Sequence, residues 1–338
     1  MSSLGIPLVR FSSLFPGQMG VDGSDVSLGM RWGTTAITMW VDPDHPDTGD
    51  AHDGTDPVHP METIQAAVTK LTAHQTAQAT SMAGSVIVLG GMAYTETVTI
   101  PAAAPDYCTL VGAGPGMHRP TWASGAAAEN CLTVQSEGWT IQNIEFNCPA
   151  SAAGVRVEEH TVNGTNAYKT VIRDCMFDGL WAGLYGIDFY GAPHRVSILN
   201  NWFMEMNQGD DSAFCIMITD SAVGPGNPYQ CSIIGNRFSD SDNYIGNLNS
   251  NRGFNVSLIQ GNVFEWGTLI TPTIYIDLRG GSQGENIVTG NVFCGDYSNT
   301  GGYWAHAANP GMWGGNIAED VAEAEVGDNG LTIAPPAA

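Results

Sequence analysis

The chain has 338 residues, enough for two ordinary domains or one elongated one. Eleven Lys and Arg stand against 34 Asp and Glu, a formal net charge of −23, although only 13% of residues are charged. A surface that negative repels phosphate backbones and anionic lipid, which excludes nucleic acid and membranes as partners, and 42 Gly with so few charges argue against a coiled coil or a charge-rich disordered chain.

Residues 1–38 read as an N-terminal arm. Leu4, Ile6, Leu8, Val9, Phe11, Leu14 and Phe15 make residues 1–18 apolar, with Arg10 as the only charge. Pro7 and Pro16 interrupt the run, so it fits neither a signal peptide nor a membrane span. Such an arm packs on another subunit or folds back over its own body. Residues 39–84 hold an acidic loop and a helix. The stretch Asp42 to Asp56 is the densest acidic segment, and Asp42, Asp44, Asp47 and Asp50 are hard oxygen donors able to hold calcium. The Glu that ends the helix-loop-helix calcium motif is missing, and a solvated loop explains the composition equally. After Pro60, residues Ile64, Ala67, Val68 and Leu71 fall on one helical face. Pro60 suits the first helical position, Glu62 the positive end, and Lys70 lies toward the other end. This helix reads as a plug before the first strand, Ser85–Leu89.

From residue 85 to 316 a short motif recurs, two or three apolar residues, a polar or Gly/Asn pair, then Phe. It ends at Phe146, Phe177, Phe203, Phe238, Phe264 and Phe293, with separations of 31, 26, 35, 26 and 29. A near-constant period of this size marks a solenoid, whose units bury their apolar faces only by stacking. Alternating apolar positions make the units strands. The pairs Asn200-Asn201, Gly235-Asn236, Gly261-Asn262 and Gly290-Asn291 are candidate corners, because Gly and Asn tolerate the left-handed backbone. Stacked Asn side chains would bond along such a ladder and stacked Phe rings would fill the core. About nine coils at roughly 4.8 Å make a rod on the order of 45 Å long. The seven cysteines include no C-x-x-C pair and several sit in apolar runs, which predicts buried thiols rather than a zinc or redox site. Residues 317–338 form an acidic C-terminal tail.

The helix, the segment Val86-Ile-Val-Leu-Gly-Gly-Met-Ala-Tyr-Thr-Glu-Thr-Val-Thr-Ile100 and the segment Leu110-Val-Gly-Ala-Gly114 together resemble the opening of the pectin-lyase-like right-handed parallel β-helices. The resemblance spans about residues 40–316. It implies an all-β, right-handed parallel β-helix solenoid with an N-terminal capping helix and non-repeat arms. For function it is open, since that superfamily holds lyases, hydrolases, esterases and viral spikes.

The Gly91-to-Glu96 stretch resembles pectin methylesterases, but their later Asp and Arg motifs are absent. Pectate-lyase motifs are absent around the arginines. Of the polygalacturonase pattern only Asp210-Asp211 is present. Asp210 and Asp211, joined by Asp188 and Asp220 through stacking, are the best acid/base candidates, since paired carboxylates have split pKa values. Adjacent strand residues point to opposite faces, so the pair needs a turn to act together. Trp181, Tyr185, Tyr190, Trp202, Tyr244, Trp266, Tyr303 and Trp304 are candidates for glycan stacking or for packing. Three function classes follow. The first is a structural protein of a virus particle, a bacteriophage capsid decoration, spike or fibre subunit. It would be assembled in the host cytoplasm, attached to other virion proteins through residues 1–18 and the tail, and homotrimeric by analogy, with no cofactor unless calcium. The alternatives are a carbohydrate-active β-helix enzyme or glycan-binding spike, and a cell-surface adhesin.

Overall fold

The structure, a computed structural model, describes residues 36–78, 82–113, 118–159, 167–206, 212–219, 227–247, 252–265, 273–278, 280, 285–294, 303–304 and 311–318. The arm 1–18, the tail beyond residue 318, Asp210, Asp211, Asp220 and Trp266 lie outside them. The described chain is a right-handed parallel β-helix of three sheets. Sheet A stacks ten strands from Thr38–Val41 to Met312–Gly314. Sheet B stacks nine from Ala93–Thr95 to Ile317–Ala318. Sheet C stacks eight from Val98–Ile100 to Tyr303–Trp304. The nine intervals of sheet A, at about 4.8 Å each, give a stack of roughly 43 Å.

The repeat of the sequence is the register of the rod. Phe146, Phe177, Phe203, Phe238, Phe264 and Phe293 pair in one column of sheet B. All six are fully buried, with neighbouring rings stacked at centroid distances of 4.8–5.2 Å. Trp122 extends the column toward the N-terminal end at 5.4 Å from Phe146. In sheet A the matching inward column is Ile87, Leu110, Ile141, Ile172, Ile198, Ile233, Ile259 and Val288.

From Asn200-Asn201 onward the corner between sheets A and B is two residues long, and its first residue is left-handed. Asn200, Gly235, Gly261 and Gly290 have φ of 55°, 68°, 62° and 66°. The second residue turns an Asn inward. Asn201 donates its backbone N–H and its Nδ2 to Asn236 Oδ1, at 2.9 and 3.1 Å. Asn236 does the same to Asn262, Asn262 to Asn291, and Asn291 to Asn316. Each of these side chains also donates to a carbonyl of the preceding coil, such as Asn262 Nδ2 to Ile233 O. The buried corner amides are thereby satisfied without water.

At the N-terminal end the strand β1 (Thr38–Val41) precedes the first repeat and pairs with Val86–Leu89. The helix α1 (Ile64–Gln78) lies over this end. Ile64, Ala67, Val68 and Leu71 are its buried face, as the spacing predicts. The helix begins four residues after Pro60, later than the sequence suggests. Met61 is held in an extended bridge to Val41, its N–H and C=O bonded to Trp40 and Asp42, so the chain cannot turn helical until Thr63. Lys70 reaches the carbonyl of His52 and ties the helix to the acidic loop.

Candidate functional site

From Thr140–Gln142 onward the corners between sheets A and B are two residues long and leave no room for insertions. Sheet C is different: seven residues separate Met206 from Phe214 on entering it, and twelve separate Thr219 from Ser232 on leaving it. Variable loops on a rigid scaffold are where binding and catalytic groups concentrate. The outer face of sheet C is therefore the candidate site.

Its centre is a charged clamp across three coils. Arg156 pairs with Asp188 on the neighbouring strand, and Thr219 ends the next strand. Asp188 Oδ2 accepts Arg156 Nε at 2.8 Å and Oδ1 accepts Thr219 Oγ1 at 2.7 Å. The Asp188 side chain is 0% exposed and that of Arg156 27%. Burial pushes the Asp188 carboxyl above the usual range, while Arg156 and Thr219 pull it back. The Arg156 guanidinium lies over the Tyr190 ring, 4.6 Å from its centroid. Gln135 Nε2 donates to Glu158 Oε2 at 3.2 Å, beside the clamp.

A second buried carboxyl, Asp277, belongs to the same column. Asp188 pairs with Met217, Met217 with Gly246, and the register Ile245 to Ile276 sets Asp277 beside Gly246. A Cβ at Gly246 would come within 2.9 Å of Asp277 Cβ, so only Gly fits there. Three strand spacings put the two acids roughly 14 Å apart. That exceeds the separation at which two carboxylates act on one glycosidic bond. Both oxygens of Asp188 are held by side chains of adjacent coils, so the arrangement fastens neighbouring strands.

Asp42, Asp44, Asp47 and Asp50 are spread through the loop beneath α1, each with its own partner. Asp42 Oδ1 accepts the Asp44 N–H, and Asp44 Oδ2 accepts the Met92 N–H. Asp47 lies 3.3 Å from His59 Nε2. Asp50 accepts from Glu62 N, Thr63 N and Thr63 Oγ1. Among the described residues no three His, Cys, Asp or Glu side chains gather as a group able to hold a metal ion. The Gly91-to-Glu96 stretch shapes the cap. Tyr94 donates to the Val41 carbonyl, and Glu96 accepts the first helical amides, Ile64 N and Gln65 N.

The aromatics divide. Tyr244 is buried against Phe238, Phe264 and Tyr275. Tyr185, Tyr190, Trp181 and Trp202 are half-buried, with Arg237 over the Trp202 ring at 4.9 Å. Tyr303 and Trp304 lie in the last strand of sheet C. Arg156 and Thr219 as partners of Asp188 escape a motif search, because they lie 32 and 31 positions away. Aligning Val155-Arg156-Val157 with Ile187-Asp188-Phe189 as successive coils would have found the ion pair.

No protein-family model matches the chain, and no curated protein matches it. Solved structures do, distantly. Pectin methylesterase PemA from Erwinia chrysanthemi is 12% identical, covering 87% of this chain and 93% of its own, with a TM-score of 0.37. The ORF18 protein of Geobacillus virus E2 is 10% identical, covering 79% and 63%, with a TM-score of 0.29. The Dettilon tailspike protein is 12% identical, covering 83% and 68%, with a TM-score of 0.26. The parallel β-helix is established by the strand pairing itself.

Proposed function

We propose that this chain is a structural subunit of a virus particle, a bacteriophage capsid decoration, spike or fibre protein, with the β-helix as a rigid projecting body. The observation that carries this reading is the Arg156–Asp188–Thr219 clamp. The fully buried Asp188 of the loop-rimmed sheet is engaged in joining coils, as are the five asparagines of the A–B corner. A rod whose coils are joined by such buried polar bridges resists local opening, which suits a load-bearing projection. In this reading residues 1–18 and the tail attach the rod to other virion proteins, and the subunits form homotrimers. Immunogold labelling of purified particles with antibody to the chain should decorate their exterior, and deletion of residues 1–18 should abolish incorporation. A chain missing from purified particles, or incorporated at full occupancy without the arm, overturns the proposal.

The carbohydrate reading has one observation in its favour, the partly exposed Arg156 stacked on Tyr190 at the rim of sheet C. Stacked cationic and aromatic groups are suited to sugar surfaces. Cleavage of an oligosaccharide by the purified chain, lost on Asp210→Ala, would establish that reading instead.

A further inference from the structure

Three successive coils at the C-terminal end of the rod carry an uncharged ridge where sheets A and B meet. Leu258, Ile287 and Met312 are in register on the outer side of sheet A, and Val263, Val292 and Ile317 on that of sheet B. The neighbours Ile259, Val288, Phe264 and Phe293 fill the core, while the ridge faces out, with Ile287 at 40%, Met312 at 50% and Ile317 at 59% exposure. Residues 258–264, 286–293 and 311–318 contain no Asp, Glu, Lys or Arg. Earlier coils carry Glu145, Arg173, Asp174 and Arg237 at the corresponding places.

The apex of the ridge changes in the same direction. Its left-handed position is Asn143, Asp174 and Asn200 in earlier coils, then Gly235, Gly261, Gly290 and Gly315, all with φ between 54° and 68°. Asn and Asp hold that backbone here, so φ alone does not demand Gly. The change removes whatever would project from the corner. A Cβ placed on Gly261 would meet nothing within 4 Å.

We propose that this ridge is a self-association surface, occupied by the same ridge of a second copy of the chain. Charge selects that occupant. Copies bearing −23 repel each other, and they approach at least cost where both faces are uncharged. A basic partner would instead choose the acidic faces. Period selects it too. A surface repeating every coil at about 4.8 Å interdigitates best with one of identical repeat, and a second copy supplies that repeat. This inference gives the self-association of the proposed reading a surface, and it is tested on the purified chain, so its failure leaves attachment to particles to be decided by the arm deletion.

Sedimentation velocity of the full chain, over a concentration series at low and high salt, tests it. The expected result is a species heavier than the monomer. It should be more abundant at high salt, where screening weakens the repulsion between copies. The double substitution Ile287→Asp with Met312→Asp should weaken association by at least about tenfold, since it buries charge at the contact. The variant should remain folded, because neither side chain belongs to the core. Thr109→Asp, on the same outer column of sheet A near the other end, should associate like the parent. A parent chain that is monomeric throughout, or a double variant that associates equally, overturns the proposal. So does a monomeric parent that associates only when shortened to residue 318, since its own tail would then be the occupant.

Discussion

Asn262 shows how much one side chain does in this rod. Its Oδ1 accepts from the backbone and the side chain of Asn236, and its Nδ2 donates to Ile233 O and Asn291 Oδ1. Asn262→Ala leaves the buried Asn236 N–H without its acceptor, and the expected loss is about 1–3 kcal/mol. Chemical denaturation measures it, and a change below about 0.5 kcal/mol would mean that the ladder is decorative. The cysteines behave as small apolar residues. Six of the seven are buried and Cys294 is intermediate. Burial pushes the thiols of Cys108, Cys131, Cys175, Cys215 and Cys231 up to about 12. Iodoacetamide should label at most Cys294 in the folded protein and all seven after unfolding. Rapid labelling of Cys175 or Cys231 in the native state would contradict the buried placement.

The helix α1 depends on acceptors from three separate segments. Thr63 Oγ1 accepts the Ala66 N–H, Glu96 takes those of Ile64 and Gln65, and Asp50 takes those of Glu62 and Thr63. These bonds satisfy the amides that a helix start leaves without intrahelical partners. Burial raises the Glu96 carboxyl above its ordinary value despite the two amide donors. Asp50→Ala should cost about 1–2 kcal/mol, in the range of a lost cap. Amide hydrogen exchange should show the loss at α1 first, with sheets A and B of the later coils still protected. Uniform loss of protection along the rod would show that the cap and the coils unfold as one unit.

For the whole molecule, acidity is a stability term. Burial raises the carboxyls of Glu96, Asp106, Glu145, Asp188, Glu205 and Asp240. Neighbouring acids add to it, as Asp178 does for Glu145 and Glu205. A raised folded pKa means that the folded state holds its proton more tightly than the unfolded chain. The stability from these groups is complete below their unfolded values and is lost as pH rises through the folded ones. Asp53 and Glu137, lowered, act in the opposite sense. So does His194, lowered by burial between Tyr168 and Tyr229, which favours the fold above the imidazole range. Among the described residues six raised carboxyls stand against these three. The melting temperature should be higher near pH 5 than near pH 7, and a steady fall on acidification would refute this.

The period of the sequence determined the coil, the Phe column, the inward asparagines and the left-handed corner. Each is a local rule repeated, so one strand's pattern carries the information for all of them. The face of α1 was legible for the same reason, because i, i+3 and i+4 spacing lies within one segment. The start of α1 was not, because Met61 is drawn into a bridge with β1, twenty residues away in the chain. Nor was the role of Asp188 legible. Connections of unequal length between coils shift the alignment of sheet C, so partners 31 and 32 positions away share no fixed spacing. Only the tertiary structure decided which acids lie within reach of a cation. It also decided which apolar residues of the last coils face outward, because alternation assigns faces within a strand but not which face another element covers.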